Sequence, residues 1–190
     1  MTDDTLLLDR RDRLPDALRV LVEEYPRDAW EGEPGFNALI RFWLDRHLMF
    51  RRILEKLTDE TETALDGGDP ARFAQGLSRY GSMLVGELQM HHRIEDAHYF
   101  PVLASKDSRV ERGFEILDSD HHVLDARLER FVGTANDVLT GLAEATDKTT
   151  VIGRFEPALR DLGRLLDRHL VDEEELVVPV ILKHGSAGLE

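Results

Sequence analysis

The sequence predicts an all-α protein: an up-down-up-down four-helix bundle with a short N-terminal helical extension. Three observations predict it. Apolar residues recur with the 3.6-residue period of a helix along most of the chain, and no segment alternates as a strand would. Four such stretches of about 30 residues are joined by short breaks, the layout of antiparallel neighbours in a bundle. The chain also repeats itself: HHRIEDAHYFPVL at 91–103 is answered 78 residues later by HLVDEEELVVPVI at 169–181.

The elements follow in order. A short helix opens at Pro15, runs through LPDALRVLVEEY and stops at Pro26. The stretch EGEPG at 31–35 marks a boundary, so residues 1–33 form the extension and 34–185 the bundle. The first long helix starts near Pro34 and ends before Gly67-Gly68. The second begins at Asp69-Pro70, a cap followed by a first-turn proline, and runs to about Ser105. The third starts after Asp107-Ser108 and fades near Thr140. The fourth occupies 149–183, with Pro157 and Pro179 disturbing its ends.

Composition narrows the function. At 190 residues the chain fits one domain with a real core, and its net charge of −14 repels nucleic acid and anionic membranes. The absence of cysteine removes disulfides, thiolate metal sites and thiol catalysis together. No apolar run approaches the roughly 20 residues that span a bilayer. The opening MTDDTLLLDRRDR lacks the basic flank and apolar stretch of a signal peptide. The plain reading is a soluble cytoplasmic protein.

Helical phase aims histidines at the core from all four long helices. His47 shares a face with Ile40, Trp43, Leu44, Phe50 and Leu54, and His121 with Phe114, Leu117, Leu124 and Leu128. His169 and Glu173 sit among Leu162, Leu165, Leu166, Leu176 and Val180. On the second helix Glu95 lies near the centre of the apolar face, flanked by His91 and His92. His122 falls on the face of Asp118, Ala126 and Glu129 and reads as a solvated neighbour; His98 reads as an edge residue and His184 as tail. Asp172, Glu174 and Glu175 read as solvated face or as support behind the site. Trp43 and Tyr99 read first as core aromatics.

Two buried carboxylates without compensation would cost several kcal/mol each. No inward Lys or Arg in these stretches answers them, whereas imidazoles and bridging carboxylates are ligand types that iron and manganese accept. Composition alone gives about one chance His-x-x-x-Glu pair in such a chain, but not two with the same Pro six residues on. A ferritin-like plan needs Glu-x-x-His on two helices and a lone Glu on the other two. Glu95–His98 supplies a single copy, and His47 and His121 stand where carboxylates belong, so that plan fails.

The arrangement H … H-x-x-x-E … H … H-x-x-x-E resembles the hemerythrin-like (HHE cation-binding) family over about residues 36–183. His47, His91, Glu95, His121, His169 and Glu173 carry the resemblance. It implies a metal centre of two non-haem iron ions (Fe2+/Fe3+) bridged by the two glutamates and an oxo or hydroxo group. An open position on one iron would take O2, NO or peroxide for sensing, storage or detoxification. Oxygen-carrying members place His-x-x-x-His on the third helix, and here the second position is Asp125. The fifth ligand position then falls to His92, to Asp125 or to water, which weighs against reversible carriage. Members that repair iron–sulfur clusters carry a cysteine-bearing N-terminal region, excluded here. The same ligand set would serve a diiron oxidase or peroxidase, or a module whose iron-dependent fold is read by a partner.

Overall fold

The computed structural model describes residues 4–189, and among them every regular element is helical. The N-terminal segment is more broken than a single helix. It forms 3-10 turns at Asp4–Leu6 and Asp16–Leu18, helix α1 (Val20–Glu24), and a third 3-10 turn at Arg27–Gly32 after Pro26. Helix α2 (Ala38–Leu65) begins later than Pro34 because Asn37 caps it. The Asn37 carboxamide oxygen accepts from the amides of Leu39 and Ile40 at 3.0 and 3.2 Å. It ends where Gly67 takes φ +93° and the Gly68 amide returns to the Thr63 carbonyl.

Helix α3 (Pro70–Ile94) starts on its expected cap, with Asp69 accepting from the Ala71 amide at 2.9 Å. It then widens into a π turn at Glu95–Tyr99 before continuing as α4 (Phe100–Lys106). In that turn the Phe100 amide reaches back to the Glu95 carbonyl, five residues away. Pro101 explains the widening: it has no N–H for the Ala97 carbonyl, and its ring crowds that carbonyl. Helix α5 spans Glu111–Glu144. The fourth expected long helix is two: α6 (Lys148–Gly153), capped by Asp147, and α7 (Glu156–His184). Pro157 forces the break, because it can sit in the first turn of α7 but not inside a continuous helix. Pro179 stays within α7.

The chain divides into two compact units. The first holds the residues up to His47, 91–123 and those from Asp167 on. Its core joins Leu14, Leu18, Leu21, Val22 and Trp30 of the N-terminal segment to Ile40, Trp43, Phe100, Phe114, Leu117, Val177, Val178, Val180 and Ile181. Burying each such large side chain contributes roughly 1.5–3 kcal/mol. Gly35 permits the entry into α2, since a Cβ there would stand 2.6 Å from the Leu182 carbonyl oxygen. The second unit, residues 48–90 and 124–166, is built on apolar side chains. Phe155 packs against Phe131 and Phe73 at 5.2 and 6.4 Å between ring centroids, with Leu77, Leu128 and Leu162 also buried. Among the described residues no helix is long and apolar enough to cross a membrane.

Candidate metal centre

Every histidine and glutamate singled out by helical phase lies in the first unit. Helix α2 supplies His47, α3 supplies His91 and His92, and the π turn supplies Glu95. Helix α5 supplies His121, and α7 supplies His169 and Glu173. His47, His92, Glu95, His121, His169 and Glu173 are buried, and the His91 side chain is 10% exposed. They form two groups: His47, His91, Glu95 and Glu173; and His92, His121 and His169. The adjacent His91 and His92 therefore serve different groups. Asp125, His122 and His98 are exposed, so the structure places them away from both.

The nitrogens point at one another. His47 Nε2 and His91 Nε2 are 3.1 Å apart, as are His121 Nε2 and His169 Nε2. Nitrogens bound at right angles to one ion at about 2.1 Å stand about 3.0 Å apart, so each pair already has ligand spacing. Two carboxylates span the groups. Glu95 Oε1 lies 2.9 Å from His91 Nε2, and its Oε2 lies 3.6 Å from His121 Nε2. Glu173 Oε2 is 3.5 Å from both His47 Nε2 and His169 Nε2. The second Glu173 oxygen accepts from the Trp43 indole N–H. Trp43 in turn meets the half-buried Tyr99 edge-on at 4.7 Å.

Three imidazoles are gripped from behind. His47 Nδ1 is 3.0 Å from Glu174 Oε1, His121 Nδ1 is 2.7 Å from Asp96 Oδ1, and His169 Nδ1 is 3.3 Å from Asp120 Oδ2. A carboxylate at Nδ1 accepts its proton and leaves the Nε2 lone pair facing inward, the usual support for a ligating imidazole. His92 is held differently, stacked on His121 at 4.0 Å with an 11° tilt.

The unpaired atoms complete the case. Both Glu95 oxygens, Glu173 Oε2 and both nitrogens of His92 are buried without a hydrogen bond. The His91–Glu95 approach is close but lies off the hydrogen-bond direction. Buried orphans of this kind are costly and need a partner. Charge follows the same geometry. Burial would pull His47 down, but Glu173 and then Glu174 outweigh it and raise it to about 9. Burial would raise Glu173, but His47, His91 and His169 hold it well below the usual range. Burial, with Glu173 beside it, pushes Glu95 well above that range. Burial lowers His91 to about 3 and also lowers His92 and His169. Without a cation these shifts favour the charged forms of His47 and Glu173 and the neutral form of Glu95. The donor set, neutral nitrogens plus carboxylates, fits a divalent or trivalent transition metal.

Sequence periodicity did not reveal Arg11. This buried arginine donates from Nε to Asp172 Oδ2 and from Nη1 to Asp120 Oδ1, both at 2.8 Å. Burial would raise Asp120, but Arg11 and His169 override it and lower its pKa. Asp172 and Glu174 are also buried, so they are supports rather than solvated face. The family model described as hemerythrin HHE cation binding domain matches residues 38–187. No curated protein and no solved structure matches the chain.

Proposed function

Since the chain belongs to the hemerythrin HHE cation-binding family, we propose that its long helices form an up-down-up-down bundle around a non-haem diiron centre that binds O2, NO or peroxide. His47 and His91 would hold one iron, His92, His121 and His169 the other, and Glu95 and Glu173 would lie between them. One observation carries this reading: each glutamate reaches a histidine of both groups, while the histidine nitrogens within a group stand at ligand spacing. Bound iron supplies the redox-active centre that a small ligand would meet. The protein's own part is to aim lone pairs inward through Glu174, Asp96 and Asp120, to hold Glu173 through Trp43, and to keep water out with buried apolar side chains. With five imidazoles in the two groups, His92 takes the fifth place and the exposed Asp125 has no part. The net charge of −14 fits a small-molecule partner in the cytoplasm better than nucleic acid or a membrane.

The test is to load the chain with Fe2+ without air and expose it to O2, NO and peroxide in turn. A stoichiometric change in visible absorption is expected with at least one of them. Steady consumption of peroxide or NO would turn the reading toward an oxidase or peroxidase, and no optical response to any of the three would overturn it.

Two outcomes follow at the level of residues. His121→Ala lowers iron retention against a chelator at least tenfold, while the exposed His122→Ala leaves it unchanged. Metal content of the two variants after dialysis checks this. The second outcome concerns pH. In the metal-free protein His47, raised to about 9 by Glu173 and Glu174, carries a proton at neutral pH. Metal binding must displace it, so apparent affinity rises with pH toward 9, by about tenfold per unit for that one proton. Titration calorimetry in buffers of different ionisation enthalpy reads the proton directly, and a pH-independent affinity would contradict it.

A further inference from the structure

The segment before residue 38 lies outside the family match, yet it reaches two of the three carboxylates that grip the histidines. Arg11 is 6% exposed and donates to Asp120 through both Nη atoms, to Asp172 through Nε, and to the Leu6 carbonyl through Nη1. Asp120 is the carboxylate 3.3 Å from His169 Nδ1. Arg27, laid over the Trp30 ring at 4.9 Å, donates to Glu174 Oε2. Glu174 is the carboxylate 3.0 Å from His47 Nδ1. One arginine thus stands behind each histidine group. Asp96, which grips His121, is instead 38% exposed and solvated.

Resting on the metal-centre reading above, we propose that Arg11 and Arg27 are positioning residues of that centre. They set the charge on Asp120 and Glu174, and through them the electron-donating strength of His169 and His47. A carboxylate that accepts the Nδ1 proton makes an imidazole a stronger donor and favours the more oxidised ion. A guanidinium fork on the same carboxylate draws that charge back. The arginines are not needed merely to fasten the segment. Leu14, Leu18, Leu21, Val22 and Trp30 already anchor it by burial, and a buried ion pair is a poor fastener compared with apolar contact. Arg168 adds a further tie, donating to the Asp12 carbonyl and to Asp172.

The experiment uses the full chain loaded with Fe2+, in the wild type, Arg27→Met, Arg27→Lys and Arg11→Lys. Three quantities are read: the midpoint potential by spectroelectrochemistry, iron retention against a chelator, and melting of the metal-free protein. The Arg27 side chain is 47% exposed, so Arg27→Met lowers melting by less than the loss of a fully buried pair such as His47–Glu173 does. It shifts the ferric/ferrous equilibrium about tenfold toward the oxidised ion, about 59 mV for one electron. Arg27→Lys restores part of that shift. Arg11→Lys keeps the charge, loses the fork, and lowers the potential by less than Arg27→Met does. If the wild type holds iron but Arg27→Met and Arg11→Lys leave potential and retention unchanged, or raise the potential, the inference is overturned while the metal centre stands. If the wild type takes up no iron, both fall.

Discussion

In protein loaded with Fe2+, Glu173→Gln is expected to lose the metal and to destabilise the metal-free state, whereas Glu95→Gln is expected to lose the metal and leave the metal-free state almost as stable as before. Both changes remove a carboxylate that reaches both histidine groups, so both should lower iron retention by more than the 10–100-fold typical of a lost supporting contact. The asymmetry lies in the metal-free state. Glu173 is ionised there, held by His47, His91 and His169, and its other oxygen accepts from Trp43. Its replacement breaks a buried ion pair, costing about 3 kcal/mol. In a chain of this length that lowers the melting temperature by roughly 6–12 °C. Burial and the Glu173 charge beside it raise Glu95 well above the usual carboxylate range, which favours its neutral form, and glutamine imitates that form. Thermal melts of the two metal-free variants decide it. Equal destabilisation would show that the charge is shared differently from this account.

Chelating the metal lowers the melting temperature of the loaded protein by roughly 8–16 °C. Five buried polar atoms on His92, Glu95 and Glu173 have no hydrogen bond, and a cation would supply their partner. A ligand at a thousand times its dissociation constant stabilises the folded state by about 4 kcal/mol, and each kcal/mol moves the midpoint by about 2–4 °C at this size. The effect should also be local. Hydrogen exchange should quicken on chelation around 91–95, 117–121 and 169–173. The second unit, whose core is apolar around Phe73, Phe131 and Phe155, should change little. A melting temperature indifferent to chelation would contradict the coupling.

The parts of this molecule that were legible in its sequence are those set by local period. Helical phase alone turns His47, His92, Glu95, His121, His169 and Glu173 inward, and the structure buries all of them. The same phase sets His122 outside, where it lies. The cap at Asp69-Pro70 and the stop at Gly67 follow from side-chain and backbone chemistry within a few residues. What period could not show comes from longer range or from competition at a single residue. Arg11 meets Asp120 and Asp172 across 109 and 161 positions, and no local pattern links them. Period left Asp172 and Glu174 open between solvated face and support behind the site, and partners from the N-terminal segment decide it by covering them. Pro157 was visible as a disturbance, and Pro101 as the proline that recurs six residues after the glutamate. Pro101 widened a helix into a π turn that carries Glu95, and Pro157 split the last helix at Arg154. The choice between those outcomes depends on what packs around each proline.

The most direct measurement is iron per chain. Metal-free protein is titrated with Fe2+ without air, freed of unbound metal, and analysed for iron, with Glu95→Gln and Glu173→Gln beside it. The account predicts about two irons per wild-type chain, as two ligand groups sharing two carboxylates require, and substantially fewer in either variant. Fewer than about one iron per wild-type chain, or equal iron in all three proteins, would contradict it.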